Sequence, residues 1–96
     1  MSFVVIATWV AKPGEAETIR KILATVTPLN RAEPKLLQFQ AHVSTEDPNV
    51  FMLYEQYTDE SGYADHRATE TFQTYVVGSA LPNLAERDVQ TFRPID

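Results

Sequence analysis

Glu55 stands in the run Phe51-Met52-Leu53-Tyr54-Glu55-Gln56-Tyr57, a single carboxylate among mostly apolar and aromatic residues, and the segment after it carries Tyr63 and His66. A charge held among apolar side chains costs free energy unless it is paired or put to use. His66 is its candidate partner, and a carboxylate beside an imidazole can move a proton at neutral pH, because histidine changes charge there. The same pair reads equally well as a structural link between a strand and the helix that follows. Tyr57 and Tyr63 add two phenols, and a buried phenol needs a hydrogen-bond partner in either role. Trp9, Phe39, Phe72 and Tyr75 fall at strand or helix spacings that turn them inward, where aromatics fill a core or line a pocket.

Other chemistries lack their residues. The two histidines, His42 and His66, fall on different elements without a ligand spacing such as H-x-x-x-H, and there is no cysteine, so no metal site is expected. Gly14, Gly62 and Gly78 are isolated, which leaves no phosphate-cradling loop, and Ser44, Ser61 and Ser79 lie in no nucleophile-elbow pattern. No bound cofactor is expected. The net charge is −5 and the basic residues are scattered singly, which argues against nucleic acid and anionic membranes as partners. The lack of cysteine is compatible with a reducing cytosol, and a cytoplasmic location is expected. The apolar run from Phe3 follows no basic region and ends at Lys12-Pro13-Gly14, too short to span a membrane; it reads as a strand.

The elements that must hold these residues follow from periodicity. Phe3 to Ala11 is rich in β-branched and aromatic residues and stops at Pro13-Gly14. From Glu15 the pattern turns helical, with Ala16, Ile19, Ile22, Leu23, Val26 and Leu29 in one stripe. Pro28 is expected to distort or end that helix. Leu36 to Val43 alternates as a second strand, with Leu37, Phe39, Ala41 and Val43 on one face and Gln38, Gln40 and His42 on the other; Asp47-Pro48-Asn49 supplies a turn, and Val50 to Tyr57 makes the third. Thr58 or Asp59 can cap a short helix through about His66. Thr69 can cap another, with Phe72, Tyr75, Val76 and Ala80 inward, and Val89 to Ile95 reads as the last strand. The order β-α-β-β-α-β predicts an α+β ferredoxin-like sandwich, a four-stranded antiparallel sheet with helices on one face, in one domain over residues 1–96.

Both sheet faces are substantially apolar. One carries Val5, Ala7, Trp9, Phe39, Leu53, Glu55 and Tyr57; the other carries Val4, Ile6, Val10, Leu36, Met52 and Tyr54 among glutamines and His42. Helices cover only one face, and the set with Trp9 and Glu55 is expected to meet them. The other is expected to meet a second copy of the sheet, giving a homodimer.

Lys12-Pro13-Gly14-Glu15 after the first strand, Arg31-Ala32-Glu33-Pro34 before the second, Glu46-Asp47-Pro48-Asn49 in the hairpin, Leu53-Tyr54-Glu55-Gln56-Tyr57 in the third strand and His66 beyond it resemble the antibiotic biosynthesis monooxygenase domain. The resemblance spans essentially the whole chain in order and implies a dimeric α+β barrel. It implies several activities: oxygenation of quinols or aromatic phenols with molecular oxygen and no metal or flavin, isomerisation of a phosphorylated sugar-derived signal, or haem cleavage. Glu55 and His66 occupy positions where quinol-oxidising and isomerising members carry the same residues. Tyr57 stands where aromatic-oxidising members often carry tryptophan, and Tyr63 where some carry tyrosine. The chain departs at Glu70-Thr71-Phe72, where many relatives place a second histidine, which speaks against the sugar-phosphate reaction. Val76 stands where a haem-binding histidine would be expected, which speaks against haem cleavage.

The resemblance therefore implies a cofactor-free monooxygenase. A phenolate or hydroquinone anion can itself give an electron to oxygen, so the protein need only remove a proton, exclude water and hold the ring. In this reading His66, oriented by Glu55, takes the proton; Tyr57 and Tyr63 bond substrate oxygens; and Trp9, Phe39, Phe72 and Tyr75 contact the ring. Two other readings stay open: an isomerase of a small carbonyl or sugar-phosphate-derived compound that uses Glu55 and His66 for proton transfer, and a non-catalytic dimer that binds an aromatic metabolite.

Overall fold

The computed structural model describes residues 2–96. The elements are β1 (Phe3–Ala11), α1 (Ala16–Arg31), β2 (Leu36–Val43), β3 (Val50–Tyr57), α2 (Glu60–Ala68), α3 (Phe72–Ala80), a 3₁₀ turn at Leu81–Asn83, and β4 (Leu84–Phe92). The strands form one antiparallel sheet in the order β2-β3-β1-β4, the ferredoxin-like arrangement. None of the helices among the described residues is long and apolar enough to cross a membrane.

The period-2 pattern decides which face is inside. Val5, Ala7, Trp9 and Ala11 of β1 and Phe51, Leu53, Glu55 and Tyr57 of β3 are buried. They face the α1 stripe of Ile19, Ile22, Leu23 and Val26 and the inner side of α3. The face with Trp9 and Glu55 is thus the helix-covered one, as expected. Two expectations on β2 exchange places. Leu36 is buried with Tyr57, whereas Leu37 is 58% exposed. The cause is a bulge: Leu36 pairs with Tyr57 but Gln38 already pairs with Gln56, so one extra residue flips the alternation.

Helix α1 runs through Pro28 to Arg31 rather than ending there. Pro28 is exposed, and the Thr27 hydroxyl donates to the Leu23 carbonyl at 2.6 Å, supplying a bond inside the turn where proline has no N–H. At its end Arg31 donates from Nε (3.1 Å) and Nη2 (2.9 Å) to the Phe39 carbonyl on the edge strand β2.

The last strand begins at Leu84 and stops at Phe92, not Val89 to Ile95. Its charged start Glu86-Arg87-Asp88 hides it in the sequence. It is an edge strand with mostly exposed side chains, where charge is tolerated, and Pro94 lies just beyond its end. Helix α3 is wound at π pitch: the Leu81 N–H bonds the Val76 carbonyl, five residues back.

Candidate active site

Three local structures bring the polar residues together under the sheet. Asp59 caps α2 by accepting from the Ser61 N–H at 2.8 Å. Gly62 then lets the helix lie directly on Tyr57; a Cβ at Gly62 would sit 3.0 Å from the Tyr57 Cβ. His66, one turn further on the same face, is therefore driven into the interior, where it is 4% exposed. Behind it, the Thr69 hydroxyl donates to the His66 carbonyl (2.8 Å) and accepts from the Phe72 N–H (3.0 Å). That junction sets the Phe72 ring edge-on to the imidazole, with centroids 5.3 Å apart at 75°.

The partner of His66 is Glu33, a residue to which the sequence reading gave no role. Nδ1 lies 2.9 and 3.1 Å from the two Glu33 carboxylate oxygens. Glu33 is fixed by the turn after α1, where its N–H bonds the Asn30 carbonyl at 3.0 Å and its carbonyl accepts from Leu36 at 3.2 Å. Glu55 lies on the other side of the ring, with Oε1 3.9 Å from Nε2, beyond hydrogen-bond reach. His66 is thus oriented by Glu33, not by Glu55. The carboxylate contact at Nδ1 assigns the proton to that nitrogen and leaves Nε2 as the acceptor.

Glu55 is buried on β3 and accepts from the Tyr57 hydroxyl at 2.5 Å. Burial pushes its carboxyl above the ordinary value, while the Tyr57 hydrogen bond and the nearby imidazole pull the other way. Burial and the adjacent Glu55 charge push the Tyr57 phenol well above its normal range. Tyr57 is fully buried, does not line the cavity, and gives its hydroxyl to the Glu55 carboxylate. Tyr63 does line it. Its ring stacks at 18° on the imidazole, 6.4 Å away, and the Arg67 guanidinium lies over the Tyr63 ring, 4.5 Å from its centroid. Burial and Glu55 raise the Tyr63 phenol, and Arg67 offsets part of that.

Glu55, Tyr63 and His66 help to wall a small hollow between the sheet, α1 and α3. Its cavity volume is about 20 Å³, so a ring enters only if side chains at the mouth move aside. The apolar wall includes Val5, Leu23, Val26, Leu53 and Val76, and Trp9, Phe39 and Phe72 line it as well. Tyr75 does not. It is half-buried on the rim of the core, because at roughly 4.4 residues per turn it falls ~115° round the helix from Phe72 instead of beside it. Two polar residues at the cavity had not been anticipated, Asn30, which is 3% exposed, and Arg87 on β4, and neither had Glu33 behind the imidazole. A polar residue at a buried stripe position was the only signal for Asn30. Nothing local marks Glu33 or Arg87.

A family model described as antibiotic biosynthesis monooxygenase matches residues 2–77. No curated protein sequence matches the chain. Among solved structures, the protein PA3566 from Pseudomonas aeruginosa superposes with a TM-score of 0.92 at 27% identity, covering 99% of this chain and 95% of its own. Rv0793 from Mycobacterium tuberculosis gives 0.91 at 21% identity over 100% and 97%. A protein described as an antibiotic biosynthesis monooxygenase gives 0.90 at 23% over 98% and 99%. The last two speak for the fold alone.

Proposed function

The chain belongs to the antibiotic biosynthesis monooxygenase family, and from that premise we propose that it is a cofactor-independent monooxygenase acting on a small phenol or quinol. The observation that carries this reading is the Glu33–His66 contact at 2.9 Å, which orients an imidazole at the wall of a mostly apolar hollow. Glu33 holds the proton on Nδ1, so Nε2 is free to take the phenolic proton, and the Glu33 carboxylate stabilises the imidazolium that results. The phenolate is electron-rich enough to reduce dioxygen. One oxygen atom bonds to ring carbon, the other leaves as water, and the phenol becomes a quinone. Glu55 lies across the ring from Glu33, and burial raises its carboxyl above the ordinary value, which favours its returning a proton to the departing oxygen. Tyr63 and Phe72 flank the imidazole and exclude water from it.

The outer sheet face supports a second part of the proposal, a homodimer. Ile6, Val10, Met52 and Tyr54 are half-buried there with no helix over them, beside Phe92, which is 45% exposed. A second copy of the same face is the self-complementary cover for such a surface.

The direct test is oxygen uptake, with quinone formation followed by absorbance, over a panel of hydroquinones and naphthols. His66→Ala is expected to slow turnover by about 10²–10⁴-fold. Glu33→Gln is expected to lower kcat with little change in KM. Equal rates for wild type and His66→Ala would reject the role given to His66, and saturable binding without oxygen uptake would leave a binding protein in place of an enzyme.

A further inference from the structure

Trp9 is 2% exposed, it lines the cavity, and its indole N–H is the one fully buried side-chain polar atom among the described residues that has no hydrogen-bond partner. Buried donors are normally satisfied, and one left open beside a cavity marks where an acceptor belongs. Its position separates it from the proton-transfer groups. Val5 pairs with Glu55, and Trp9 follows four residues later on the same face of β1. At about 3.3 Å per residue the two rows are about 13 Å apart along the strand.

Arg87 stands opposite Trp9 on β4 and lines the same cavity. Among the described residues it enters none of the ion pairs. Its side chain is exposed on the edge strand and borders the mouth of the hollow. The hollow therefore has polarity: Glu55 stands at its wall beside His66, with Glu33 behind the imidazole, while a buried N–H without a partner and an exposed guanidinium lie along the Trp9–Arg87 row.

We propose that Trp9 and Arg87 form an acceptor-binding end of the cavity, so that the ligand is a hydroxylated aromatic with a carbonyl or carboxylate oxygen remote from the hydroxyl that meets His66. The inference rests on the site reading above and adds what selects and orients the ring. A negative or acceptor oxygen is repelled by the carboxylates at one end and bonded at the other, so the hydroxyl is delivered to Nε2 in one orientation. Trp9 and Arg87 are specificity-determining here and take no part in proton transfer.

The experiment is binding without oxygen, so it stands whether or not turnover exists. Three probes share one ring system: 2-naphthol, 6-acetyl-2-naphthol and 6-hydroxy-2-naphthoate. Binding is read from the ligand's own fluorescence under nitrogen. The wild type is expected to bind the ketone and the acid at least about tenfold more tightly than 2-naphthol, the ratio one charge-assisted or buried hydrogen bond gives. Trp9→Phe should remove about that factor for the ketone and acid while 2-naphthol changes less than about twofold. Arg87→Gln should weaken the acid more than the ketone. Because Trp9 is the sole tryptophan, replacing it biosynthetically with benzothienylalanine deletes the N–H while keeping the bicyclic shape, and this variant decides the matter if Trp9→Phe folds poorly. Equal loss for all three probes, no loss for the ketone and acid, or a wild type that shows no preference over 2-naphthol would each overturn the proposal. Loss of oxygen uptake with this binding pattern intact would instead count against the monooxygenase reading alone.

Discussion

Gly62→Ala is the most revealing single change, because two opposite effects meet at one atom. In an ordinary helix interior alanine is favoured over glycine by about 1 kcal/mol. Here the new Cβ would lie 3.0 Å from the Cβ atoms of Lys35 and Tyr57 and 3.1 Å from the Tyr57 Cδ1. Restoring even the short edge of normal contact, 3.4 Å, requires α2 or β3 to give by about 0.4 Å. Neither neighbouring Cβ can swing away, since each is fixed by its own backbone, and Tyr57 is held by Glu55. Overpacking of this kind costs about 1–3 kcal/mol. Set against the helix gain, the net loss is about 1 kcal/mol, a fall in Tm of about 4–8 °C for a chain of this size. The displacement also carries His66, one turn along, away from Glu33. Because a 1 Å misplacement can cost about a hundredfold in rate, a shift of this smaller size is expected to lower turnover severalfold. Urea unfolding followed by Trp9 fluorescence gives the first number and oxygen uptake the second. A variant stabilised by the full helix-propensity gain, with unchanged turnover, would refute the claim that Gly62 seats α2 on Tyr57.

Two further outcomes follow from the same geometry. Since the Glu55 carboxyl is raised above its ordinary 4.5 in the folded protein, the stability linked to it is complete below that pH and is lost as pH rises through the raised value. Glu55→Gln has no such loss, so its stability relative to wild type should improve steadily from pH 4 to pH 7 in urea melts; a constant gap would show that burial does not govern Glu55. The wild type should run at twice the chain's 10.8 kDa in light scattering, and Tyr54→Lys, which puts a charge beside Ile6 on the outer sheet face, should return it to one chain mass at micromolar concentration. A wild type that scatters as one chain would leave that face without its proposed cover.

The order of elements and the inner face of the sheet were legible because they rest on local rules: alternation in β1 and β3, the 3.6-residue stripe of α1, and turn residues between them. Where those rules failed, a competing local effect won. One extra residue exchanged Leu36 for Leu37, the tolerance of an edge strand for charge hid the start of β4, and a widened helical pitch turned Tyr75 aside. The site was legible only in part. Glu55 announced itself as a charge in an apolar strand, and His66 as a base in the next helix. Glu33 sits in a connector and reaches His66 across 33 positions of chain, a closeness that exists only once α1 and α2 lie on the same sheet. Arg87 reaches the cavity by strand pairing with β1, which no spacing within β4 reveals.

The two bonds from Arg31 to the Phe39 carbonyl bear on more than the end of a helix. The border of a sheet is an open invitation to any extended segment drifting past, whether from an unfolded neighbour or a nascent chain. By occupying an acceptor midway along that border with a planar, always-ionised head group, the protein interrupts the ladder such a visitor would need. At the far border Glu86 and Asp88, both exposed, add charges that must shed their hydration before anything can stack there. Crowded solutions of this chain are accordingly steered away from endless ribbons.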